Sequence, residues 1–464
     1  MIVAYTESIY ICCWTEIIGE SLTYDIVVGR SKHDKEKYGT QGTIFLGKHY
    51  VTMGQTVALS NKVFLDMIRS HVIFVCGKRG GGKSYTMGVI AEGMADLPDS
   101  IRKNLSIIML DTMGIYWTMK YPNIKEKELL SSWTMEPKSS DITIFTPKGF
   151  YDKAKEEGIP TDRPFAIKPS ELLGSDWVTT FSLDPNSDVG VLIERTIHNL
   201  QERKEQGEDF SLRDILSMIE QDKETAANTR AAARNHFIAA QGWGIFSDQG
   251  TPLSELAQPG QITVLDLSAY STQENGWAVK SLVTGLVSQK LFLERMTARK
   301  TEEFRQVHRD VNYLAEDDDL QQEMPLVWLV IDEAHEFLPN QGKTLASDPL
   351  ITILREGRQP GISLILASQQ PGKIHTDVMT QADVVISHRI TAKLDTDALG
   401  MLMQSYLRVG LDKLLDGLPR TSGAALILDD NNEKMFPIQI RPRFTWHGGE
   451  SPTALKKEKE LFEF

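Results

Sequence analysis

Phosphate chemistry is written into two short stretches of this chain. Gly77-Lys78-Arg79-Gly80-Gly81-Gly82-Lys83-Ser84 follows a G-x-x-x-x-G-K-S pattern. Its glycines let the backbone turn tightly and aim several N–H groups at a row of phosphates. A helix beginning there would add its positive end. In such a P-loop, Lys83 reaches the β- and γ-phosphates and Ser84 holds Mg²⁺. Gly77 to Ser84, with the following Tyr85, is therefore the expected ATP-binding segment. A glycine-rich turn that matches by accident is the competing reading. The strand-like run Val72–Cys76 before the loop, and the apolar helical face Met87, Ile90, Met94 and Leu97 after it, speak against that reading.

The second stretch is Asp332-Glu333, at the end of the apolar run Leu326–Ile331. A buried parallel strand that ends in two carboxylates delivers them where ligands bind in such sheets. Asp332 would bind Mg²⁺ through water, and Glu333 would polarise the water that attacks the γ-phosphate. A strand ending in solvated acids is the plainer alternative. Asp332-Glu333-Ala334-His335 also spells a DEAH box. Asp332, however, lies 249 residues beyond Lys83, which leaves no room for the second tandem domain that DEAH helicases carry. His335 is expected at a helix start or behind the reacting groups.

The next apolar run, Ile362–Ala367, leads into Ser368-Gln369-Gln370. A polar residue here can sit between the two acidic and basic motifs and sense the γ-phosphate, with Gln369 the first choice and Gln370 the second. Arg358, 25 residues after Glu333, is either a surface arginine paired with a carboxylate or, in a ring, a group that reaches a neighbour's ATP.

These groups need a scaffold. Buried strand-like runs at 71–76, Ser106–Leu110, Gln261–Leu265, 326–331 and 362–367 alternate with helical patterns, which predicts a mainly parallel α/β sheet covered on both faces. Helical patterns at Asp188–Glu205, Ser211–Gln221 and Ala226–Ala240 predict a helical insertion at about 150–260. Short β-rich runs (Ile9–Ile11, Tyr24–Val28, Gly42–Leu46, Val57–Leu59) predict a small N-terminal β-barrel over 1–65. The ATPase core is expected at 66–435 and a C-terminal extension at 436–464. There, Phe436–Arg443 looks extended and is expected to brace a neighbouring subunit.

Composition is that of an ordinary globular protein, with 41% hydrophobic and 24% charged residues. No apolar run approaches the ~20 residues of a membrane span, and Met1–Glu7 lacks a basic leader region. Cys12, Cys13 and Cys76 make no disulfide framework, so a cytoplasmic setting is expected. The net charge of −13 argues against a surface coated with nucleic acid, though not against DNA held in a central channel. Channel candidates are Lys148, Lys153, Lys155, Arg230, Arg234, Arg299, Lys300, Arg305 and Arg309, each of a kind more often found on a solvated helix face than on DNA.

As a set, these motifs resemble the HerA branch of the FtsK–HerA ATPases. The resemblance extends to Ser70–Val75 before the loop, to Asp111-Thr112-Met113-Gly114-Ile115-Tyr116, to Gly242–Phe246 with Asp266-Leu267-Ser268, to Arg355-Glu356-Gly357-Arg358 and to Ser368-Gln369-Gln370-Pro371. It covers most of residues 40–430. It implies a RecA-like core and a homo-hexameric ring that moves on double-stranded DNA, with Arg358 acting in trans. Archaeal members work with the NurA nuclease in DNA end processing and repair. Others serve anti-phage systems with different effectors. Two departures stand out: the loop carries Lys78 and Arg79, and Ile115 replaces a common Glu. The leading expectation is a DNA translocase or helicase with a nuclease partner. The alternative is a ring ATPase that assembles and gates an effector.

Overall fold

The computed structural model describes residues 24–53, 56–312, 324–390, 392–401, 411 and 413–449. The expected strand Ile9–Ile11, Cys12 and Cys13, the acidic run 316–319 and the segment 450–464 lie outside the described residues.

A single 13-stranded sheet organises the chain. In sequence, its strands are β1 (Ile26–Val28), β2 (Thr43–Met53), β3 (Thr56–Asp66), β4 (Val72–Cys76), β5 (Leu105–Asp111), β6 (Ile142–Pro147), β7 (Arg163–Phe165), β8 (Ile262–Asp266), β9 (Leu326–Ile331), β10 (Ile362–Ser368), β11 (Val384–His388), β12 (Ala424–Asp429) and β13 (Lys434–Ile440). In space the order is β1-β3-β2-β13-β12-β11-β4-β10-β9-β5-β8-β6-β7. From β11 to β7 every pairing is parallel. From β11 through β12, β13 and β2 to β3 every pairing is antiparallel.

The central strands are almost wholly buried because both faces are covered, and β4 and β9 are apolar at every position; successive side chains go to opposite layers. Phe74, Cys76, Ile108, Leu110, Leu329 and Ile331 enter one core. Ile73, Val75, Ile107, Met109, Trp328 and Val330 enter the other. The first layer takes the helical insertion and the long helix Gly276–Asn312. Trp177 and Phe237 lie at the heart of the insertion with ring centroids 4.9 Å apart. The second layer takes the helix Lys83–Ala95 through Met87, Ile90 and Met94. Each such side chain, fully buried, contributes roughly 1.5–3 kcal/mol.

The expected N-terminal barrel is not confirmed: the described strands β1 to β3 hydrogen-bond as the end of this one sheet, joined through β13. The expected boundary at 436 falls inside β13. That segment is extended, as its sequence predicts, but it braces its own chain. It pairs with β12 and β2, and beyond it Arg441 and Arg443 are buried against Glu92 of the loop helix. Gly88 makes this close packing possible, because an added Cβ would meet the Arg443 guanidinium at 2.4 Å.

Candidate active site

Register aligns the chemistry. Ser368 of β10 pairs with Cys76 of β4, and Leu366 pairs with Ile331 of β9. The C-terminal ends of three neighbouring parallel strands therefore open into one crevice, where the phosphate loop, Asp332-Glu333 and Gln369 emerge together.

The loop turns through Gly77, Gly80 and Gly82, whose φ angles of 154°, 72° and 109° disfavour side-chain-bearing residues. Lys78, Arg79 and Gly80 are exposed, whereas Lys83 is 94% buried. The Lys83 ammonium lies 3.4 Å from the Lys78 carbonyl. Ser84 Oγ donates to Asp332 Oδ2 at 2.8 Å, and Asp332 Oδ1 accepts from the Glu333 N–H at 2.8 Å. Glu333 sits in the left-handed region at φ 52°, an uncommon place for a residue with a side chain, and such strain clusters at functional sites. Gln369 Nε2 donates to Glu333 Oε1 at 2.8 Å. Glu333 Oε2 is buried and accepts no hydrogen bond, with His335 Nδ1 only as near as 3.5 Å. Burial, reinforced by the charge of Asp332, pushes the Glu333 carboxyl up to about 7. His335 is pushed down by burial and by Lys373 and Lys83, and its Nδ1 lies 3.2 Å from Ser368 Oγ.

Tyr85 points away from the loop, with its hydroxyl donating to Glu126 at 3.0 Å and accepting from the Arg443 N–H at 2.6 Å. Gln370 points to the His335 ring at 3.5 Å, not to Glu333.

Residues 46–287 match the family model described as "Helicase HerA, central domain". The chain belongs to this HerA helicase family. Among curated relatives, the "Probable DNA double-strand break repair helicase HerA" of Methanocaldococcus jannaschii is 24% identical over 76% of this chain and 69% of its own length. The "DNA double-strand break repair helicase HerA" of Pyrococcus furiosus is 26% identical over 30% of this chain and 26% of its own length. Among solved structures, VirB4 of Thermoanaerobacter pseudethanolicus shares the fold with a TM-score of 0.50 at 14% identity, covering 86% of this chain and 96% of that one.

Two HerA-like motifs acquire a structural reason here. Asp111, at the end of β5, accepts from the backbone N–H groups of Met113, Gly114, Ile115 and Tyr116 at 2.7–3.2 Å. Burial and the nearby Asp266 still push its carboxyl up to about 7. Gly114, at φ 69°, lies so close to Ser268 that an added Cβ would meet the hydroxyl at 2.7 Å. The D-x-x-G-x-Y stretch and Asp266-Leu267-Ser268, which follow neighbouring strands, thus pack directly against each other.

His388 was not singled out from the sequence. It ends β11, fully buried beneath the loop, where a Cβ on Gly77 would meet its Cβ at 2.6 Å and one on Gly82 its ring at 3.2 Å. Its Nδ1 donates to the Ala424 carbonyl at 3.2 Å, which leaves Nε2 to accept from Thr86 Oγ1 at 2.8 Å. Burial pushes its pKa down to about 4, so the ring is neutral. A histidine ending an apolar strand was the available signal, and the pairing of β11 with β4 gives it meaning.

Arg358 lies apart from these groups. It is exposed in the turn before β10, at the opposite end of the sheet. One strand length, roughly 20 Å at 3.3 Å per residue, separates it from its own chain's loop. Among the basic residues considered for DNA, Lys153, Arg234 and Arg299 pair with Glu157, Glu220 and Glu303. Lys148 reaches Ser247, and Arg230 reaches the Thr225 carbonyl. Among the described residues, no helix is long and apolar enough to cross a membrane.

Proposed function

We propose that this chain is a cytoplasmic, ATP-hydrolysing ring motor, a homo-hexamer that translocates on double-stranded DNA and works with a nuclease partner in DNA end processing or repair. The observation that carries the reading is the convergence of Ser84, Asp332, Glu333 and Gln369 at the ends of β4, β9 and β10 in a HerA-family chain. The names of the curated relatives support the DNA half of it.

In this reading the loop N–H groups and Lys83 hold the triphosphate. The Ser84 hydroxyl and Asp332 carboxylate, 2.8 Å apart, are hard oxygen donors that fit Mg²⁺, which typically keeps several waters beside one or two carboxylates and phosphate oxygens. Bound there, Mg²⁺ would offset charge building on the phosphates. Glu333 orients the attacking water and takes its proton on the unpaired Oε2, while Gln369 fixes the carboxylate through Oε1. Arg358 lies at the far end of the sheet from its own loop, which suits a group serving an adjacent protomer's ATP.

ATP turnover measured with and without linear double-stranded DNA tests the reading, together with the particle mass in solution. Turnover that rises with DNA in a six-subunit particle supports it. Turnover indifferent to DNA, with and without a nuclease partner, would refute it. The second reading is a ring that gates a bound effector, as in anti-phage defence. It is favoured by the net charge of −13 and by the acid partners of Lys153, Arg234 and Arg299. It predicts a co-purifying effector whose activity needs ATP but no movement along DNA.

A further inference from the structure

At the opposite end of the sheet from the phosphate loop, a cavity of about 530 Å³ opens among His71, Leu326 and Gly361, which precede or begin β4, β9 and β10. Its volume falls within the roughly 300–1,000 Å³ of small-molecule sites. Its wall is cationic. Arg69, Arg295, Arg299 and Arg358 line it against three carboxylates, those of Asp34, Asp383 and Glu302. His71, held charged to about 9, adds to the excess. The carboxylates are all taken: Asp34 pairs with Arg69, Asp383 with His71, and Glu302 with Arg295 and Arg299. Two guanidinium groups keep donors to spare.

Arg295 is fully buried, yet only part of its fork is used. Nε donates to the Pro360 carbonyl at 2.7 Å, and Nη1 donates to the Met324 carbonyl at 2.7 Å and to Glu302 at 3.2 Å. Nη2, with two N–H groups of its own, has no acceptor among the described residues. It lies at the Gly361 wall of the cavity, where an added Cβ would stand 3.3 Å from it. Buried charged donors are rarely left without an acceptor. Through Pro360 the same side chain holds the turn that brings Arg358 to the rim. Arg358 is exposed and forms no hydrogen bond or ion pair among the described residues. Guanidinium forks match the oxygens of a phosphate group, and a tetrahedral dianion offers acceptors to two forks at once.

We propose that this cavity is an anion site for a small, free phosphate-class dianion, held by Arg295 Nη2 from within and by Arg358 at the rim. It is separate from residues 77–84 and does not depend on their holding ATP. Calorimetry with inorganic phosphate tests it, at an ionic strength matched with potassium chloride. The protein is the full chain carrying Lys83→Ala, which removes the loop's own phosphate-binding lysine. Saturable phosphate binding persists in that protein. Adding Arg358→Ala weakens it at least tenfold, and adding Arg295→Lys, which keeps the charge but not the fork, at least threefold. Arg358 is exposed, so its truncation remains decisive should Arg295→Lys disturb the fold. Arg355→Ala is the control: that exposed arginine pairs with Asp377 outside the cavity, and its loss leaves phosphate binding unchanged. A Lys83→Ala protein that binds no phosphate would overturn the assignment. So would full affinity without Arg358, or equal losses on removing Arg355 and Arg358, the mark of general attraction to positive charge.

Discussion

Ser84 Oγ and Asp332 Oδ2 share a 2.8 Å hydrogen bond across 248 residues of sequence. The bond closes the loop onto the acid pair, so in the proposed mechanism binding and cleavage fall to adjacent but separable groups. Lys83→Ala is expected to weaken ATP binding at least tenfold. Glu333→Gln should bind ATP within about threefold of wild type, yet lose roughly 10²–10⁴-fold in turnover as the base disappears. Calorimetry and phosphate release measure the two effects, and a Glu333→Gln protein with normal turnover would dismiss Glu333 as the base.

Arg358 stands a strand length from its own loop. Arg358→Ala should leave ATP affinity unchanged and reduce turnover roughly 10³-fold or more in the assembled particle, the range of other arginine fingers. Mixing Arg358→Ala with Glu333→Gln subunits should recover part of the activity, since some interfaces then pair an intact arginine with an intact acid. No recovery at any ratio would place Arg358 outside the neighbour's site.

Beneath the loop, His388 joins Thr86 to Ala424. His388→Phe keeps the ring volume but strands both partners, costing roughly 1–3 kcal/mol per buried group left unpaired. Reduced urea resistance and a several-fold weaker grip on both ATP and tripolyphosphate are expected. Unaltered binding of both would deny the ring any part in shaping the loop.

His71, also buried, holds Asp383 with Nδ1 and Asp66 with Nε2. Burial alone would lower its pKa, but these two carboxylates outweigh it and hold the ring charged to about 9. The Arg30 guanidinium also binds Asp66. A raised folded pKa means that the stabilisation is complete below about pH 6.5, the unfolded value. It fades as pH climbs through 9, by an amount on the order of 3 kcal/mol. The urea midpoint of wild type should fall over that interval, while that of His71→Asn stays flat. Parallel curves would contradict the charged assignment.

Glu92 is fully buried on the loop helix and binds Arg441 and the Thr445 hydroxyl at 2.5 Å, besides the Phe444 and Thr445 N–H groups. Glu92→Gln leaves two buried guanidinium groups without their counter-charge, at a cost of about 3–5 kcal/mol. Chemical denaturation reads the loss directly. A fall of less than about 1 kcal/mol, the scale of exposed ion pairs, would mean that the arginines find other partners.

Strands β4, β9 and β10 were legible because their signal is local: largely apolar runs, each followed by a chemically marked residue, as at Gly77, Asp332 and Ser368. The insertion helices were legible for the same reason, through their 3.6-residue periodicity. What the sequence hid is long-range. Phe436–Arg443 reads as extended from its residues, but nothing local says that β2 and β12 flank it or that Glu92 waits 349 residues away for Arg441. His388 was invisible because its meaning depends on β11 lying beside β4. The D-x-x-G-I-Y stretch was read for a missing acid at Ile115. Its organising group is Asp111, whose four backbone hydrogen bonds no spacing rule announces.

The long helix Gly276–Asn312 touches both ends of the sheet. Near one end, Lys280 holds the Thr112 carbonyl at 3.2 Å, beside Asp111. Fifteen residues on, about 22 Å at 1.5 Å per residue, Arg295 holds the Pro360 carbonyl at 2.7 Å, in the turn that carries Arg358. A helix is stiff over that distance, so the turn after β5 and the turn before β10 are held at a fixed separation by one rod. In the proposed ring, this one rod would join the crevice at the strand ends to the face that carries Arg358.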